Sequence, residues 1–503
     1  VLQVEAPLVC SAAGHTGGRP ARERAVSGPK ASGGCEVSRR RAKAGSTLCS
    51  ILALALFAAG SSGAAATGTG NTAAPRSAST AGRTAAKFPS VDAPGVTATE
   101  IHVGAITSKT NPIGGDNGVL DDGIKAYFDV VNAKGGIYGR KLKLTSERDD
   151  QTVNNLTETE GLLSQDNVYA VFEAVELFAG AKRLAAAGIP TFGWNSNAEW
   201  AGPKNFFPNV RPICFSKTCS SVGHGLPWIV KQVGAHKVGL IGYSVPQSAD
   251  SVTTSANEIS KFSKEAGAQV VFTDTSLQFG QTDFSAQVAQ LKAKGVDFLV
   301  TGLDFNGDYS VAKEMDRQGI LHKVTFFHPN LYNADFVKKY AQLFEGGIVL
   351  VGILAAEHKP APPAMTEYLA YAKKHGLKVT EMTEQGWTAA RQFVESLKAA
   401  GPNFTWANLR KAWNRQKWYT AGGLAPPIDW TREHNDPGAS PANLSPFECF
   451  NFVRIHNGGF VGIYDGGGAK PWLCFNGRKP DVWQTPANLS FAGKPFAITD
   501  VQK

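Results

Sequence analysis

The sequence predicts an α/β protein of two lobes, each a mostly parallel sheet flanked by helices, and three observations predict it. Short apolar runs alternate with amphipathic stretches of roughly 10–15 residues, the pattern of βαβ units. The strands so counted exceed one sheet of ordinary size. The alternation breaks near 211–221 and again near 357–363, where a chain would pass between lobes.

Taken in order, 101–106 reads as a buried strand. Leu120, Ile124, Tyr127, Phe128 and Val131 then form a helical stripe over 119–134 that Gly135-Gly136 stops. Leu142 and Leu144 alternate with Lys141 and Lys143, as in a half-exposed strand. Residues 169–172 form a strand, 179–187 a helix ending at Gly188, and 190–192 another strand. Helix 221–233, strand 238–241, helix 252–266, strand 269–273, helix 284–294, strand 297–301, helix 309–318 and strand 324–327 follow. Helical segments 363–375, 383–399 and 405–414 come next. From Ala425 the chain is rich in Pro, Gly and Asn, with antiparallel-looking strands at 450–455 and 460–464.

Charge and composition exclude several classes. The formal net charge of +9 is concentrated before Ala66, where eight Lys and Arg meet three acids, and only +4 remains for the rest. That is no phosphate-binding footprint, so no nucleic-acid partner is expected. The longest apolar run, 51–59, is far short of the ~20 residues of a spanning helix. Arg39-Arg40-Arg41-Ala42-Lys43, the apolar stretch 48–59 and the small residues 60–66 stand in the order of a secretory signal. Residues 1–66 are therefore expected to be dispensable or removed on export, and 67–95 to form a low-complexity linker. Ser61 stands where a lipid-anchored protein would carry Cys, so an exported, extracellular or cell-envelope protein without a lipid anchor is expected. Four cysteines then remain, and an even number in an exported chain favours disulfides. Cys214–Cys219 with Cys449–Cys474 is the pairing preferred among three.

Catalytic and metal patterns are not found. Asp304-x-Asn306-x-Asp308 begins like a calcium loop, but Tyr309 and Met315 stand where Gly and Glu are needed. His322, His328 and His358 have no metal-ligand spacing, and there is no H-E-x-x-H, G-x-S-x-G, P-loop or dinucleotide fingerprint. The reading is of a protein that is not an enzyme and needs no cofactor or metal.

Asn132-Ala133-Lys134-Gly135-Gly136-Ile137-Tyr138-Gly139-Arg140-Lys141-Leu142 resembles the first helix-to-strand turn of the leucine/isoleucine/valine-type solute-binding proteins. These are type I periplasmic binding proteins of ABC transporters. Asp149-Asp150 fits the same template, as does Thr282-Asp283-Phe284-Ser285 with Val288, Leu291-Lys292 and Asp297. The resemblance covers about 97–465 and implies two lobes joined by a three-crossover hinge, with ligand in the cleft between them. It implies lobe 1 from 96–215 and 357–424, and lobe 2 from 216–356 and 425–465. Residues 466–503 are an extension expected on lobe 2. It implies a monomer that hands a small polar ligand to a membrane permease; a ligand-sensing receptor domain and a secreted hydrolase are the alternatives.

Carried over by position, the resemblance implies ligand contacts from Thr107, Ser108 and Asn111 after the first strand, and from Glu173 and Glu176 after the third. Trp194, Asn195 and Ser196 follow the fourth strand. Lobe 2 contributes Ser248, Asp304, Phe305 and Asn330. Plainer roles compete: Glu173 and Glu176 as helix caps, Trp194 as core, Asn330 as a turn residue. Two departures matter. Acids replace the hydroxyls that receive a ligand carboxylate in the amino-acid binders, and Asn330 replaces the acid that receives the ammonium. A branched-chain amino acid is therefore not expected; a neutral or cationic ligand is, unless Lys109 offsets the acids.

Overall fold

The computed structural model describes residues 88–492 apart from 113, 211–222, 330, 437–438, 441–442 and 444. Cys214, Cys219, Asn330 and the export segment lie outside the described residues.

The first sheet holds β1 (Glu100–Thr107), β2 (Lys141–Asp149), β3 (Ala170–Ala174), β4 (Thr191–Gly193) and β5 (Phe206–Pro208) in the order β2-β1-β3-β4-β5. All its neighbours are parallel. Ile101, Val103, Ala105 and Ile106 of the inner strand β1 are all fully buried, because helices cover both faces. At the edge, β2 buries Leu142 and exposes Lys141 and Lys143, which is what its alternation predicts. The connections are α1 (Leu120–Ala133), α2 (Asn155–Gln165) and α3 (Ala181–Ala187).

The second sheet begins after α4 (Gly225–Val233). Its parallel part is β6 (Lys237–Tyr243), β7 (Gln269–Leu277), β8 (Phe298–Gly302), β9 (Thr325–His328) and β10 (Ile348–Val351), ordered β7-β6-β8-β9-β10. Between these strands run α5 (Pro246–Lys261), α6 (Ser263–Ala266), α7 (Ser285–Lys294), α8 (Phe305–Arg317), α9 (Ala334–Lys339) and α10 (Ala341–Phe344). Two features move helix starts earlier than the apolar stripes suggest. Pro246 opens α5 with its φ already set for a helix. Asp304 caps α8 by accepting from the backbone N–H of Asn306 (2.8 Å) and Gly307 (3.0 Å).

The chain then returns to the first lobe with α11 (Pro363–His375), α12 (Glu381–Ala400) and α13 (Trp406–Trp413). Trp387, Phe393 and Leu397 of α12 join Phe128, Phe172 and Phe192 in one core. The backbones of α1 and α12 touch: a Cβ on Gly123 would lie 2.0 Å from the Thr383 carbonyl oxygen, and one on Gly386 2.0 Å from that of Leu120. Only glycine fits at either place, and this contact fixes the start of α12 beside the first lobe's strand ends.

A third passage leads to β11 (Phe447–His456), antiparallel to β10. β12 (Gly459–Ile463) turns back on it through Asn457-Gly458, both at positive φ as a tight hairpin requires. β13 (Trp472–Asn476) pairs the other half of β11, and β14 (Ala487–Leu489) pairs β13. Strands β5, β10, β13 and β14 and helices α2, α9 and α10 are absent from the sequence reading; most are too short for periodicity to register. The tail touches both lobes. Its strands extend the second sheet, while Trp472, Leu489 and Phe491 lie in the first lobe's core, where Trp472 Nε1 donates to the Gly423 carbonyl (3.4 Å). Cys449 and Cys474 are register partners of β11 and β13, and their sulfurs meet there.

Candidate functional site

The carboxyl ends of both parallel sheets turn toward each other, the place where α/β sheets present ligand-binding groups. The two lobes are in contact across it. Gln247 Nε2, at the start of α5, donates to the Glu176 carbonyl oxygen (2.7 Å), and Asn306 Nδ2 to that of Pro112 (3.3 Å).

On the first lobe, Glu176 is the organised group. Its Oε1 accepts from Asn111 Nδ2 (3.1 Å) and Asn117 Nδ2 (3.0 Å), and its backbone N–H is held by Ser108 Oγ (3.3 Å). Burial raises its pKa against those two amides, and Asp304 across the cleft and Asp150 push it the same way. Ser108 also bonds Asp150, whose carboxyl is raised by burial and whose Oδ1 takes the Thr152 N–H (2.8 Å). Lys109 is committed elsewhere: its Nζ lies 2.8 Å from Asp121 and 3.2 Å from Glu147. It does not offset Glu176.

Glu173 has a different setting. It is fully buried, its Oε2 accepts from Asn155 of α2 (3.3 Å), and its Oε1 has no hydrogen-bond partner among the described residues. Burial drives its pKa far up, with Asp150 adding to it. It is held beneath the strand ends rather than at the lobe contact. Thr107 is likewise fully buried. Trp194 packs half-buried against the first lobe's core, Asn195 is buried beside it, and Ser196 Oγ donates to the Val175 carbonyl (3.2 Å).

On the second lobe, Ser248 is used inside the lobe. Its Oγ donates to the Gly302 carbonyl and accepts the Tyr243 N–H (2.6 Å), tying the ends of β8 and β6 together. Asp304 caps α8 with one oxygen and accepts the Tyr243 hydroxyl with the other (2.6 Å); burial raises its pKa. Phe305 packs at a tilt against Phe336, 5.0 Å between ring centres.

Sequence reasoning missed a second acidic group on the hinge side. Tyr332 donates to Glu357 Oε2 (2.5 Å) and accepts the Ala356 N–H (2.9 Å). Glu384, at the start of α12, is fully buried with neither carboxyl oxygen partnered among the described residues, and its pKa is driven far up by burial, then by Glu357 and Glu381. Glu381 is pushed up to about 7 by burial. Asn209 Nδ2 donates to the carbonyl and Oε1 of Gln385, both at 2.8 Å, joining the end of β5 to α12. In sequence Glu381 and Glu384 look like ordinary first-turn charges, and Glu357 like a loop acid. Asn117 and Gln247 also carried no signal, since each sits in a polar stretch without a motif. His328 and His358 are buried and face Asp308 (3.3 Å) and Asp465 (3.0 Å).

No helix among the described residues is long and apolar enough to cross a membrane. Curated protein sequences give no match. Among solved structures, the chain is similar to a fatty acid ABC transporter substrate-binding protein from Thermomonospora curvata. Identity is 17% and the TM-score 0.58, over 80% of this chain and 95% of that one. It is also similar to a branched chain amino acid ABC transporter from Thermus thermophilus with bound valine, at 16% identity and TM-score 0.56, over 73% and 95%. The substrate binding protein LivJ from Streptococcus pneumoniae, in complex with isoleucine, gives 17% and 0.58, over 73% and 99%. These likenesses establish the fold. The family model described as periplasmic binding protein matches residues 100–459, from β1 through the β11–β12 turn and so through both sheets and the cleft. The chain belongs to the periplasmic binding protein family in its two-lobe type I form, a family of extracytoplasmic solute-binding proteins that serve ABC transporters.

Proposed function

We propose that the protein captures a small neutral or cationic polar solute between its lobes and delivers it to the permease of an ABC transporter. The observation that carries this reading is the pair Glu176 and Asp304, carboxyl groups presented from opposite lobes, with the Asp304 charge near enough to raise the Glu176 pKa. Two acids brought together in a low-dielectric cleft repel, and a donor-rich or cationic solute between them removes that cost. An anion would add to it. Glu176 is the better receptor, because two amides fix one of its oxygens and leave the other for a ligand.

The N-terminal signal pattern supports export, and the meeting of Cys449 with Cys474 supports a disulfide that ties β13 to β11 in an oxidising compartment. A thermal-shift screen of amines, amides, polyols, amino acids and carboxylates on the full chain tests the reading. A solute at a hundred times its Kd adds ~2.7 kcal/mol of stability. An amine, amide or polyol is expected to give the largest shift; turnover of that solute by the purified protein would contradict a binding-only role.

A further inference from the structure

A half-open hollow in the first lobe lies away from the cleft. A cavity of about 400 Å³ opens between the C-terminal half of α1, the Gly135-Gly136 turn after it and the second half of α12. Because α1 runs antiparallel to the strands it connects, its C-terminal end lies at the start of β2, the end of the sheet opposite the cleft. The volume is within the range of small-molecule sites.

The lining is rich in unused donors. Arg391 is four-fifths buried, and its Nε donates to Glu395 Oε1 (3.0 Å). Its two terminal nitrogens donate to no described residue. Gly422, at φ 74°, makes room for them: a Cβ there would sit 2.9 Å from Nη2. Tyr127 lines the same space, and the buried Tyr419 hydroxyl, without a partner among the described residues, adjoins Arg391, Glu395 and Tyr127. Lys398 stands exposed at the mouth. Glu367 and Glu395 both act on Arg391, and Glu367 is also paired with Lys134 (3.0 Å), so two acids face the three cations Arg391, Lys134 and Lys398. Val130, Val131 and Ile137 add an apolar strip to a lining that is otherwise polar.

A guanidinium with both terminal nitrogens free, flanked by hydroxyl donors, matches the planar geometry of a carboxylate, and burial strengthens such charge-assisted bonds. We propose that this cavity is a second ligand site, separate from the cleft, for a small organic carboxylate with a short apolar chain. The carboxylate would lie on the Arg391 terminal nitrogens and the Tyr127 hydroxyl, with its chain against Val130 and Ile137. The proposal does not depend on what the cleft binds.

Butyrate is the probe, with butyramide as its neutral isostere, titrated into the full chain by calorimetry and by ligand-observed NMR. Butyrate is expected to bind saturably in the millimolar range and butyramide about tenfold more weakly, the loss expected when a charged hydrogen bond becomes a neutral one. Arg391→Gln and, independently, Val130→Trp, which puts an indole on the apolar strip where the alkyl chain would lie, are each expected to abolish butyrate binding. Glu176→Gln is expected to leave it intact. The proposal is overturned if butyrate shows no saturable binding up to tens of millimolar or if butyramide binds equally well. It is also overturned if binding survives Val130→Trp in a folded protein, or if Glu176→Gln removes it.

Discussion

The two rims of the cleft use the same kinds of side chain in opposite ways. The second lobe's rim uses its polar groups internally. Ser248 bridges β6 and β8, Asp304 caps α8 and takes the Tyr243 hydroxyl, and Phe305 packs at a tilt against Phe336. The first lobe's rim keeps one in reserve: Glu176 is steadied through a single oxygen by Asn111 and Asn117. Position in a family template identified both sets equally. What separates a binding group from a structural one is whether its hydrogen-bonding capacity is already used, and that depends on contacts between residues far apart in sequence.

Glu173 and Glu176 make the same point three residues apart, and the largest expected effect sharpens it. Glu173 is fully buried with its pKa driven far above the usual carboxylate range. A folded-state pKa above the unfolded one contributes stability that is fully present below about pH 4.5 and is lost as pH rises through the folded value. Stability carried by this group therefore falls with rising pH by up to ~1.4 kcal/mol per pH unit. Glu173→Gln removes that slope. Denaturant unfolding should show the variant more stable than wild type at mildly alkaline pH and nearly equal to it near pH 4.5. An unchanged slope would mean that Glu173 does not hold its proton.

Ser248→Ala comes next. It leaves the Tyr243 N–H and the Gly302 carbonyl without their shared partner, at a cost of ~1–3 kcal/mol in unfolding free energy. Solute affinity should change little. An affinity loss without a stability loss would place Ser248 among the ligand groups and erase the contrast between the rims.

Gln247→Ala is the mildest. It deletes the hydrogen bond to the Glu176 carbonyl across the lobes, about 0.5–1.5 kcal/mol in favour of the closed form. Solute affinity should fall a few-fold while the melting point of the unliganded protein hardly moves. Small-angle scattering of the liganded variant should still report closure.

The fold was legible where periodicity is long. The 119–134 stripe became α1, 363–375 matched α11 in full, and the Lys141–Leu144 alternation marked β2 as an edge. Short strands such as β10 and β14 left no periodic trace, and the Asp304 cap hid the first turn of α8 behind polar residues. The site was legible as a set of loops but not as a set of contacts. Nothing local distinguishes Glu384, buried and unpaired, from Glu381 one turn earlier. Nor does anything local show that Lys109 turns to Asp121 and Glu147 instead of to the cleft. Those outcomes are set by the α1–α12 contact at Gly123 and Gly386 and by where β2 lies beside β1.

The most direct test is a calorimetric titration of the tightest solute from the screen into wild type and Glu176→Gln. A neutral or cationic solute should bind wild type and lose about tenfold to a hundredfold in affinity to the variant, the ~1.5–3 kcal/mol of a charge-assisted hydrogen bond. A dicarboxylate or other anion as the tightest cleft ligand, with Glu176→Gln leaving its affinity unchanged, would contradict the account.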